Sequence, residues 1–495
     1  MKRTRWPVVI LLIAAVAALV AWFPGREGVQ PSRVLRSPVA AAVGAAGGSW
    51  YCAARDVGVE SPTQTVIVSS ASEDGQATIR VDGFGEEGPA GDAEFTLEPM
   101  ETAEIDVAAE LGSANLSVMV EADMPVVVEH RFTYDAGADQ APCSTFSSDT
   151  WYFPTVVTSR DANARLSLFN PFPGDASVDI EVAFDTGVRQ PTALSGLVIP
   201  AGTTRVVELG EQVQRRDQFS ATIKSRSGGV VAELAQRFDG TGDVPVVGLR
   251  LVPGTRATSA TWSFAGGFAD ATALENLVVL NPGEDDAELL AQVVPYGGTN
   301  VMPEPFELKV PGLRYGTINL TEESRVPQVG NHAISLETSG GAAVVPARSI
   351  NVTGPPEATD ADPLRAKMTG GTTASAGAAA SARKWHVSAM SVGEQSDGAV
   401  LVHNGGTDEV VATVTSLSID GSELESADYE LPPGESAVVP AADLAGGEAV
   451  FTAVVTADSP VVVERLIVWS TPADISLQAG IPVVGSLDGL EGISG

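Results

Sequence analysis

The sequence predicts an all-β protein: four tandem immunoglobulin-like antiparallel β-sandwich modules that follow one N-terminal transmembrane helix. Three observations support this fold class. The chain has 495 residues, and a single hydrophobic core stops growing at roughly 250–300, so several domains are expected. It contains 51 glycines and 32 prolines, which favours many turns between short strands. Four blocks of the chain each open with a tryptophan and then share one order of segments.

The N-terminus has the pattern of a membrane anchor. Basic residues at positions 2, 3 and 5 precede an apolar run from Val8 to Phe23. Aromatic residues close this run in place of the small residues of a cleavage site, which favours an uncleaved anchor over a cleaved signal peptide. We predict a cytoplasmic basic tail at 1–6, a transmembrane signal anchor at 7–23 and a spacer at 24–49, with the bulk of the chain outside the cytoplasm.

The four blocks open at Trp50, Trp151, Trp262 and Trp385. Each continues with two alternating hairpins and an apolar strand that ends in charge. Period-2 alternation with frequent turns is typical of an antiparallel sandwich, and blocks of about 100 residues are too long for propeller blades. We predict sandwiches at 50–150, 151–261, 262–353 and 385–490, with a flexible linker rich in Pro, Thr, Gly, Ala and Ser at 354–384.

Three short motifs carry a resemblance to a known family. They are Trp-Tyr-Phe at 151–153, the Asn-Pro turns at 170–171 and 281–282, and the Val-Val-x-Glu-Arg close at 461–465. With the N-terminal span and the acidic bulk, the chain resembles an actinobacterial family of membrane-anchored extracytoplasmic proteins of unknown function, built from Trp-initiated secreted β-sandwich repeats. The resemblance covers nearly the whole chain. It implies a location in the cell envelope and brings no established catalytic residues.

Features that recur in several blocks indicate scaffold. A tryptophan stripe can bind sugars by stacking, but recurrence at one module position favours core anchors. An acid and a base recur on the closing strand, which favours structural ion pairs over a catalytic carboxylate. These pairs are Glu129/Arg131, Glu233/Arg237 and Glu464/Arg465, and the third block has Ala347-Arg348 without the acid.

The two cysteines occur in the first block alone. Cys52 follows the opening tryptophan and Cys143 precedes the second block. Outside the cytoplasm such a pair is expected to form a disulfide. The alternative, a free nucleophilic cysteine, requires a nearby histidine, and His130 is the local candidate.

Motif searches favour a protein without catalytic residues, cofactor or metal. The sequence lacks a Gly-x-Ser-x-Gly elbow, a His-Glu-x-x-His motif and a phosphate-binding Gly-Lys-Ser/Thr loop. The Gly-x-Gly-x-x-Gly match at Gly83–Gly88 is followed by no helical pattern and carries two glutamates that repel a pyrophosphate, so we interpret it as a hairpin loop. Histidines are few and scattered, at positions 130, 332, 386 and 403.

The charge distribution singles out the second block. The chain carries 29 Lys+Arg and 63 Asp+Glu, which excludes a broad nucleic-acid surface. The net charges of the blocks from 50, 151, 262 and 385 onward are −17, 0, −6 and −16. The neutral second block predicts a contact patch for an anionic envelope glycan or an acidic protein partner; the alternative is that its bases merely balance local acids. The candidate patch is Arg205, Arg215, Arg216, Lys224 and Arg226.

Three functions follow, in descending order of support. The first is a non-catalytic, membrane-anchored envelope scaffold or interaction protein. The second is a glycan-binding protein that uses exposed aromatics and the basic patch. The third is an envelope hydrolase. Buried opening tryptophans favour the first over the second, and a pocket with convergent titratable groups is required for the third.

Overall fold

The computed structural model describes residues 47–297, 302–328, 330–356 and 362–483. The predicted tail and anchor lie outside these residues, as do positions 24–46 of the predicted spacer. Within the described ranges, no helix has the length and apolar character needed to cross a bilayer. The described chain is all-β with antiparallel pairing throughout, which confirms the predicted class.

Region I (48–142) contains two four-stranded sheets, ordered β1-β6-β3-β4 and β5-β2-β7-β8. A short helix, Val107–Leu111, joins the fifth strand to the sixth. The strands are β1 (Gly48–Cys52), β2 (Thr63–Ser70), β3 (Ala77–Phe84), β4 (Pro89–Leu97), β5 (Thr102–Asp106), β6 (Ser117–Ala122), β7 (Val126–Tyr134) and β8 (Gly137–Pro142).

Region II (150–253) repeats this plan. Its sheets are ordered β12-β11-β15-β9, with β13 also on β11, and β14-β10-β16-β17. Helical turns occur at Thr192–Leu194 and Leu209–Gln212. The strands are β9 (Thr150–Val156), β10 (Ala162–Asn170), β11 (Ala176–Phe184), β12 (Gly187–Arg189), β13 (Leu197–Ile199), β14 (Thr203–Glu208), β15 (Phe219–Ser227), β16 (Val231–Asp239) and β17 (Val247–Pro253).

Region III (261–376) has sheets ordered β18-β23-β20-β21 and β22-β19-β24-β25. A helix at Pro363–Lys367 precedes its last strand. The strands are β18 (Thr261–Phe264), β19 (Ala273–Asn281), β20 (Ala287–Pro295), β21 (Phe306–Val310), β22 (Arg314–Asn319), β23 (His332–Ser339), β24 (Val345–Val352) and β25 (Gly371–Ala376).

Region IV (382–482) joins its two layers through one long strand, β31, which pairs with β26 and β28 in one layer and with β27 and β32 in the other. A helix at Ala441–Leu444 follows β30. The strands are β26 (Ala382–Ser391), β27 (Ser396–His403), β28 (Val410–Ser418), β29 (Glu423–Leu431), β30 (Ser436–Pro440), β31 (Val450–Ser470), β32 (Ala473–Ala479) and β33 (Ile481–Pro482).

The opening tryptophans lie in the cores between the sheets. Their side chains are at most 3% exposed. The indole N–H groups of Trp151, Trp262 and Trp385 donate to the carbonyls of Val230, Val344 and Val461, at 2.9, 3.1 and 3.0 Å. Val230 and Val344 directly precede β16 and β24, and Val461 lies within β31. A buried indole that satisfies its donor in this way is a core anchor, so these tryptophans form no sugar platform.

A repeated asparagine fixes the turn that follows the second strand of regions II to IV. The side-chain amides of Asn170, Asn281 and Asn404 donate to the carbonyl four residues ahead, each at 2.8 Å. Each amide also donates to a carbonyl of the opposite hairpin, 27–29 residues away. The buried amide therefore links two turns that would otherwise leave carbonyls unpaired.

Cys52 and Cys143 form a disulfide, as predicted. It joins β1 to the residue directly after β8, and both half-cystines are buried. The closed loop spans 91 residues in sequence. Within the described residues no free cysteine remains.

Replacing Cys143 with serine is expected to lower the free energy of unfolding by up to about 4–5 kcal/mol, because the unfolded chain regains the entropy that the cross-link removes. Denaturation of wild type and variant, with and without reductant, measures the loss. Reductant should destabilise the wild type alone. Two freely alkylated thiols in the native, secreted chain would contradict the assignment.

The flexible linker predicted at 354–384 is wrong for the residues described there. Strand β25 pairs along its whole length with β24. Before it, Asp362 caps a helical turn that carries Arg365, and this buried guanidinium binds the Asp270 carboxylate through two nitrogens, at 2.9 and 3.0 Å. The small residues of this stretch are explained by burial, because Gly, Thr, Ala and Ser allow neighbouring backbones to approach closely.

The last full strand of each region lies at the centre of the molecule. Strands β8, β17, β25 and β32 contact one another in a closed cycle, each against the next and β32 against β8. Their pairing with β7, β16, β24 and β31 places Ala138, Leu249, Thr372 and Ile475 at equivalent positions. The four regions therefore surround a common axis.

The Asp474 side chain binds all four of these central strands. Its carboxylate accepts four backbone N–H groups, from Ala138, Leu249, Thr372 and Ile475, at 2.8–3.0 Å. One donor thus comes from each region. Two neighbouring positions must be glycine: a Cβ at 248 would lie 2.6 Å from Asp474 Oδ1, and a Cβ at 371 would lie 2.5 Å from Asp474 Cα. A single buried side chain therefore satisfies equivalent backbone groups of all four regions.

The acids of the closing strands pair across regions. His130 Nε2 of region I lies 2.6 Å from Glu233 Oε1 of region II. Arg348 of region III donates two hydrogen bonds to Glu464 of region IV, at 3.1 and 3.2 Å. Arg465 of region IV donates to Glu129 of region I. All these side chains are at most 3% exposed.

These contacts correct the ion pairs predicted within each closing strand. Arg131 instead binds Glu104 at 3.0 Å. Arg237 forms no ion pair with any described residue, whereas the acids of all three predicted pairs bind a neighbouring region. The reason is geometric. The predicted acid and base belong to one strand, but each acid turns towards the neighbouring region, where a buried histidine or arginine is available.

Candidate functional site

A cleft of about 740 Å³ opens between regions II and III. Region II contributes the end of β9, the loop before β10, the segment before β15, and β17 with the loop that precedes it. Region III contributes the outer face of β19, β22 and β24. Concave sites between domains of this size are common ligand sites.

The cleft lies at the interface that departs from the repeated pattern. At the other three interfaces a buried histidine or arginine contacts a buried glutamate. Here the corresponding positions are Leu234 and Ala347, which are paired in register with Val252 and Ala376 on the central strands. Regions II and III are therefore joined without the buried side-chain pair that links their neighbours.

Arg250 forms the floor of the cleft. Its Nε donates to Thr372 Oγ1 at 2.7 Å, and its Nη2 donates to Asn351 Oδ1 at 2.6 Å. The guanidinium carbon lies 4.7 Å from the centre of the Phe238 ring. The side chain is 2% exposed, and burial lowers its pKa to about 10 against the opposing influence of the more distant Asp474 and Asp139 carboxylates.

No described carboxylate lies within ion-pair distance of Arg250. Arg348 and Arg465, which are buried to the same extent, each pair with a glutamate. Its partners are a hydroxyl and an amide, both neutral. Its Nη1 makes no hydrogen bond to a described residue. A cation removed from water normally requires a counter-charge, and Arg250 borders the cleft without a direct ion pair to any described residue.

The rim of the cleft carries charges of both signs. Arg160 and Arg215 are exposed and form no ion pair with the described part of the chain. Asp217 and Asp243 are also exposed, whereas Asp161 is 8% exposed and accepts a hydrogen bond from Ser159 at 2.6 Å. Asn276, Ser349 and Thr317 add neutral donors and acceptors.

The five residues of the predicted basic patch are not brought together as one free surface. Arg215 lines the cleft. The Arg216 guanidinium lies 5.1 Å from the centre of the Phe184 ring. Arg205 donates to the Val198 carbonyl at 3.3 Å. The two bases on β15 are compensated by acids of β11, in the pairs Lys224–Glu181 at 2.7 Å and Arg226–Asp179 at 2.6 Å.

The histidines lie in the interior. His332 Nε2 lies 2.9 Å from Glu275 Oε2. Burial lowers the pKa of His386 to about 3 and that of His403 to about 4, so both are neutral at physiological pH. One described cluster has the composition of a metal site, Cys52, His130 and Cys143, but its sulfur atoms are consumed by the disulfide.

Sequence reasoning missed Arg250 and Asn351. Arg250 stands alone in an apolar strand, and an isolated arginine there is usually exposed. The available signal was its strand: Val246 to Val252 is otherwise apolar or glycine except at this position. A charge within such a run indicates either burial or a site.

Comparison with known proteins identifies a family but no function. A family of unknown function, DUF5719, matches residues 135–442. No curated protein matches this chain. A solved structure, Thermotoga maritima 1070, is 14% identical and covers 24% of this chain and 92% of its own, with a TM-score of 0.19. The Anabaena sensory rhodopsin transducer is 20% identical and covers 18% and 80%, with a TM-score of 0.16.

A tetra-tandem repeat from the extending region of a large adhesion protein is 10% identical to this chain. It covers 88% of this chain and 100% of its own, with a TM-score of 0.11. At these TM-scores none of the solved structures supports an argument about fold or function.

Proposed function

The chain belongs to DUF5719, a family of unknown function, and we propose that it is a non-catalytic, membrane-anchored scaffold of a bacterial cell envelope. In this proposal regions I to IV are four repeated immunoglobulin-like sandwich modules. The segment at 7–23 anchors them, and the modules lie outside the cytoplasm as one rigid body that presents binding surfaces to other envelope components.

One observation carries the proposal: the last module is bound to the first. Arg465 and Glu129 are 336 residues apart in sequence, yet they form a buried ion pair. Asp474 then binds backbone groups of all four modules. Modules joined only in series move relative to one another, whereas a closed cycle holds every module in one orientation. A fixed arrangement suits a scaffold.

The competing functions have less support. Glycan binding through a stack of exposed aromatics requires exposed rings, and the exposed large hydrophobic residues of the described chain are all aliphatic. A hydrolase requires titratable groups that converge in a pocket. The cleft contains aspartates but no histidine, and its Ser159 hydroxyl is hydrogen-bonded to the Asp161 carboxylate rather than to an imidazole base.

Location is tested with alkaline phosphatase fused after Gly495, in the full chain and in a control without residues 1–23. We expect activity from the anchored fusion, because the enzyme matures only outside the cytoplasm, and little from the control. Chemical crosslinking in intact cells then tests the scaffold role, with discrete adducts expected from the anchored chain alone. An inactive phosphatase in the anchored fusion, or the absence of any adduct with an envelope component, would contradict the proposal.

A further inference from the structure

We propose that the cleft between regions II and III binds a carboxylate-bearing sugar, a uronic acid unit of an oligosaccharide, with its carboxylate on Arg250. This binding site goes beyond the scaffold role and depends only on the cleft. It also differs from recognition by aromatic stacking, because no exposed aromatic ring is involved.

The buried guanidinium of Arg250 has no direct ion-pair partner among the described residues. Its side chain is 2% exposed and held from two sides by Thr372 and Asn351. These bonds fix the guanidinium plane and leave Nη1 without a described partner. An anion in the cleft supplies a direct ion pair, and a carboxylate matches the planar guanidinium geometry. The protein therefore presents a preorganised cation rather than a flexible surface one.

The lining favours a carboxylate over a phosphate. Asp161, Asp217 and Asp243 line the same cleft. Their charges repel a phosphate dianion, which carries two charges on one group, more strongly than a singly charged carboxylate group. The same aspartates accept hydrogen bonds from hydroxyl groups. A site that offers one buried cation and several acceptors fits a sugar unit with one carboxylate and several hydroxyls, which describes each unit of an oligouronic acid.

The other residues that line the cleft also suit a sugar ligand. Asn276, Ser349 and Thr317 add neutral hydrogen-bonding groups from three strands of region III. Arg160 and Arg215 on the region II side attract anions to the entrance. A volume of about 740 Å³ admits a short oligosaccharide, since ligand pockets span roughly 300–1,000 Å³.

The experiment is isothermal titration calorimetry of the detergent-solubilised full chain with digalacturonate. The matched ligand is its dimethyl ester, which keeps the hydroxyls and lacks both negative charges. We expect digalacturonate to bind with at least tenfold higher affinity than the ester, and its affinity to fall as salt is raised.

Three variants locate the binding. Arg250→Met is expected to weaken digalacturonate binding at least tenfold, and Arg215→Ala about threefold. Arg80→Ala is the control, because Arg80 is an exposed arginine of region I paired with Asp82 outside the cleft; its affinity should equal that of wild type. Circular dichroism checks that each variant is folded. If Arg250→Met does not fold, the ester comparison and Arg215→Ala still decide the question.

Each remaining outcome overturns the proposal. Equal affinity for the acid and the ester would show that the carboxylate makes no contribution to binding. Absence of digalacturonate binding in a folded chain would exclude uronic acids as the ligand. Inorganic phosphate that binds more tightly than digalacturonate and competes with it shows a general anion site instead. None of these results bears on the scaffold proposal, which is tested by location and crosslinking.

Discussion

Replacing Asp474 with asparagine is expected to lower the free energy of unfolding by about 2–6 kcal/mol. Asp474 Oδ2 accepts the N–H groups of Ala138 and Leu249, while Oδ1 accepts those of Thr372 and Ile475. An amide nitrogen in place of either oxygen faces two donors and can accept neither. A buried donor left without its partner costs about 1–3 kcal/mol.

Denaturant unfolding followed by tryptophan fluorescence measures this change. The matched control is Asp92→Asn on β4, which removes the same charge from an exposed position and should change stability by less than about 0.5 kcal/mol. If Asp474→Asn were as stable as the control, Asp474 would not be the common acceptor of the four regions. Folding of the control together with failure of Asp474→Asn to fold agrees with the expected loss.

The second large effect concerns the pair that joins the last region to the first. Arg465→Met is expected to destabilise the protein by about 3–5 kcal/mol, because Glu129 then remains buried without its cation. Glu129 has other donors, Gln140 Nε2 at 2.9 Å and Ser388 N at 3.4 Å, but both are neutral. The double variant Arg465→Met with Glu129→Gln should recover much of the loss, since it removes the uncompensated charge.

A double-mutant cycle of stability measurements separates the coupling energy of the Arg465–Glu129 pair from the effect of each single substitution. The exposed pair Arg226–Asp179 serves as the control cycle and should give a coupling below about 1 kcal/mol. We also expect wild type to unfold in one transition and Arg465→Met to show an earlier, separate transition for part of the chain. Equal losses in the single and double variants would contradict a direct ion pair.

Local patterns were sufficient to predict much of the fold. Period-2 alternation and turn residues predict strands wherever they occur, so the all-β class follows from short segments of chain. The recurrence of Trp151, Trp262 and Trp385 at one position predicts core anchors, because each region must fill the same space between two sheets. To predict the Cys52–Cys143 disulfide, it was enough that the chain has only two cysteines and that an oxidising location was expected.

Two predictions rested on composition or sequence clustering alone: the linker prediction failed, and the basic patch stays a prediction in which two bases are paired with acids. The stretch at 354–384 lacks bulky apolar residues and was therefore interpreted as a linker. In the structure its small residues form β25 at the centre, where four backbones converge. The basic patch was inferred from sequence clustering, but Lys224 and Arg226 lie opposite acids of β11, so register cancels their charge.

The sequence by itself determined which segments are strands, which residues anchor each core and which cysteines pair, because these depend on short-range periodicity and on residue type. Only the tertiary structure decided the partners of Glu129, Glu233 and Glu464, the common role of Asp474 and the burial of Arg250. Alternation shows which side of a strand is inward, but not which distant strand lies against it. Apart from the bond between the adjacent Asp474 and Ile475, those contacts join residues 101–336 positions apart, and they arise only when four regions close around one axis.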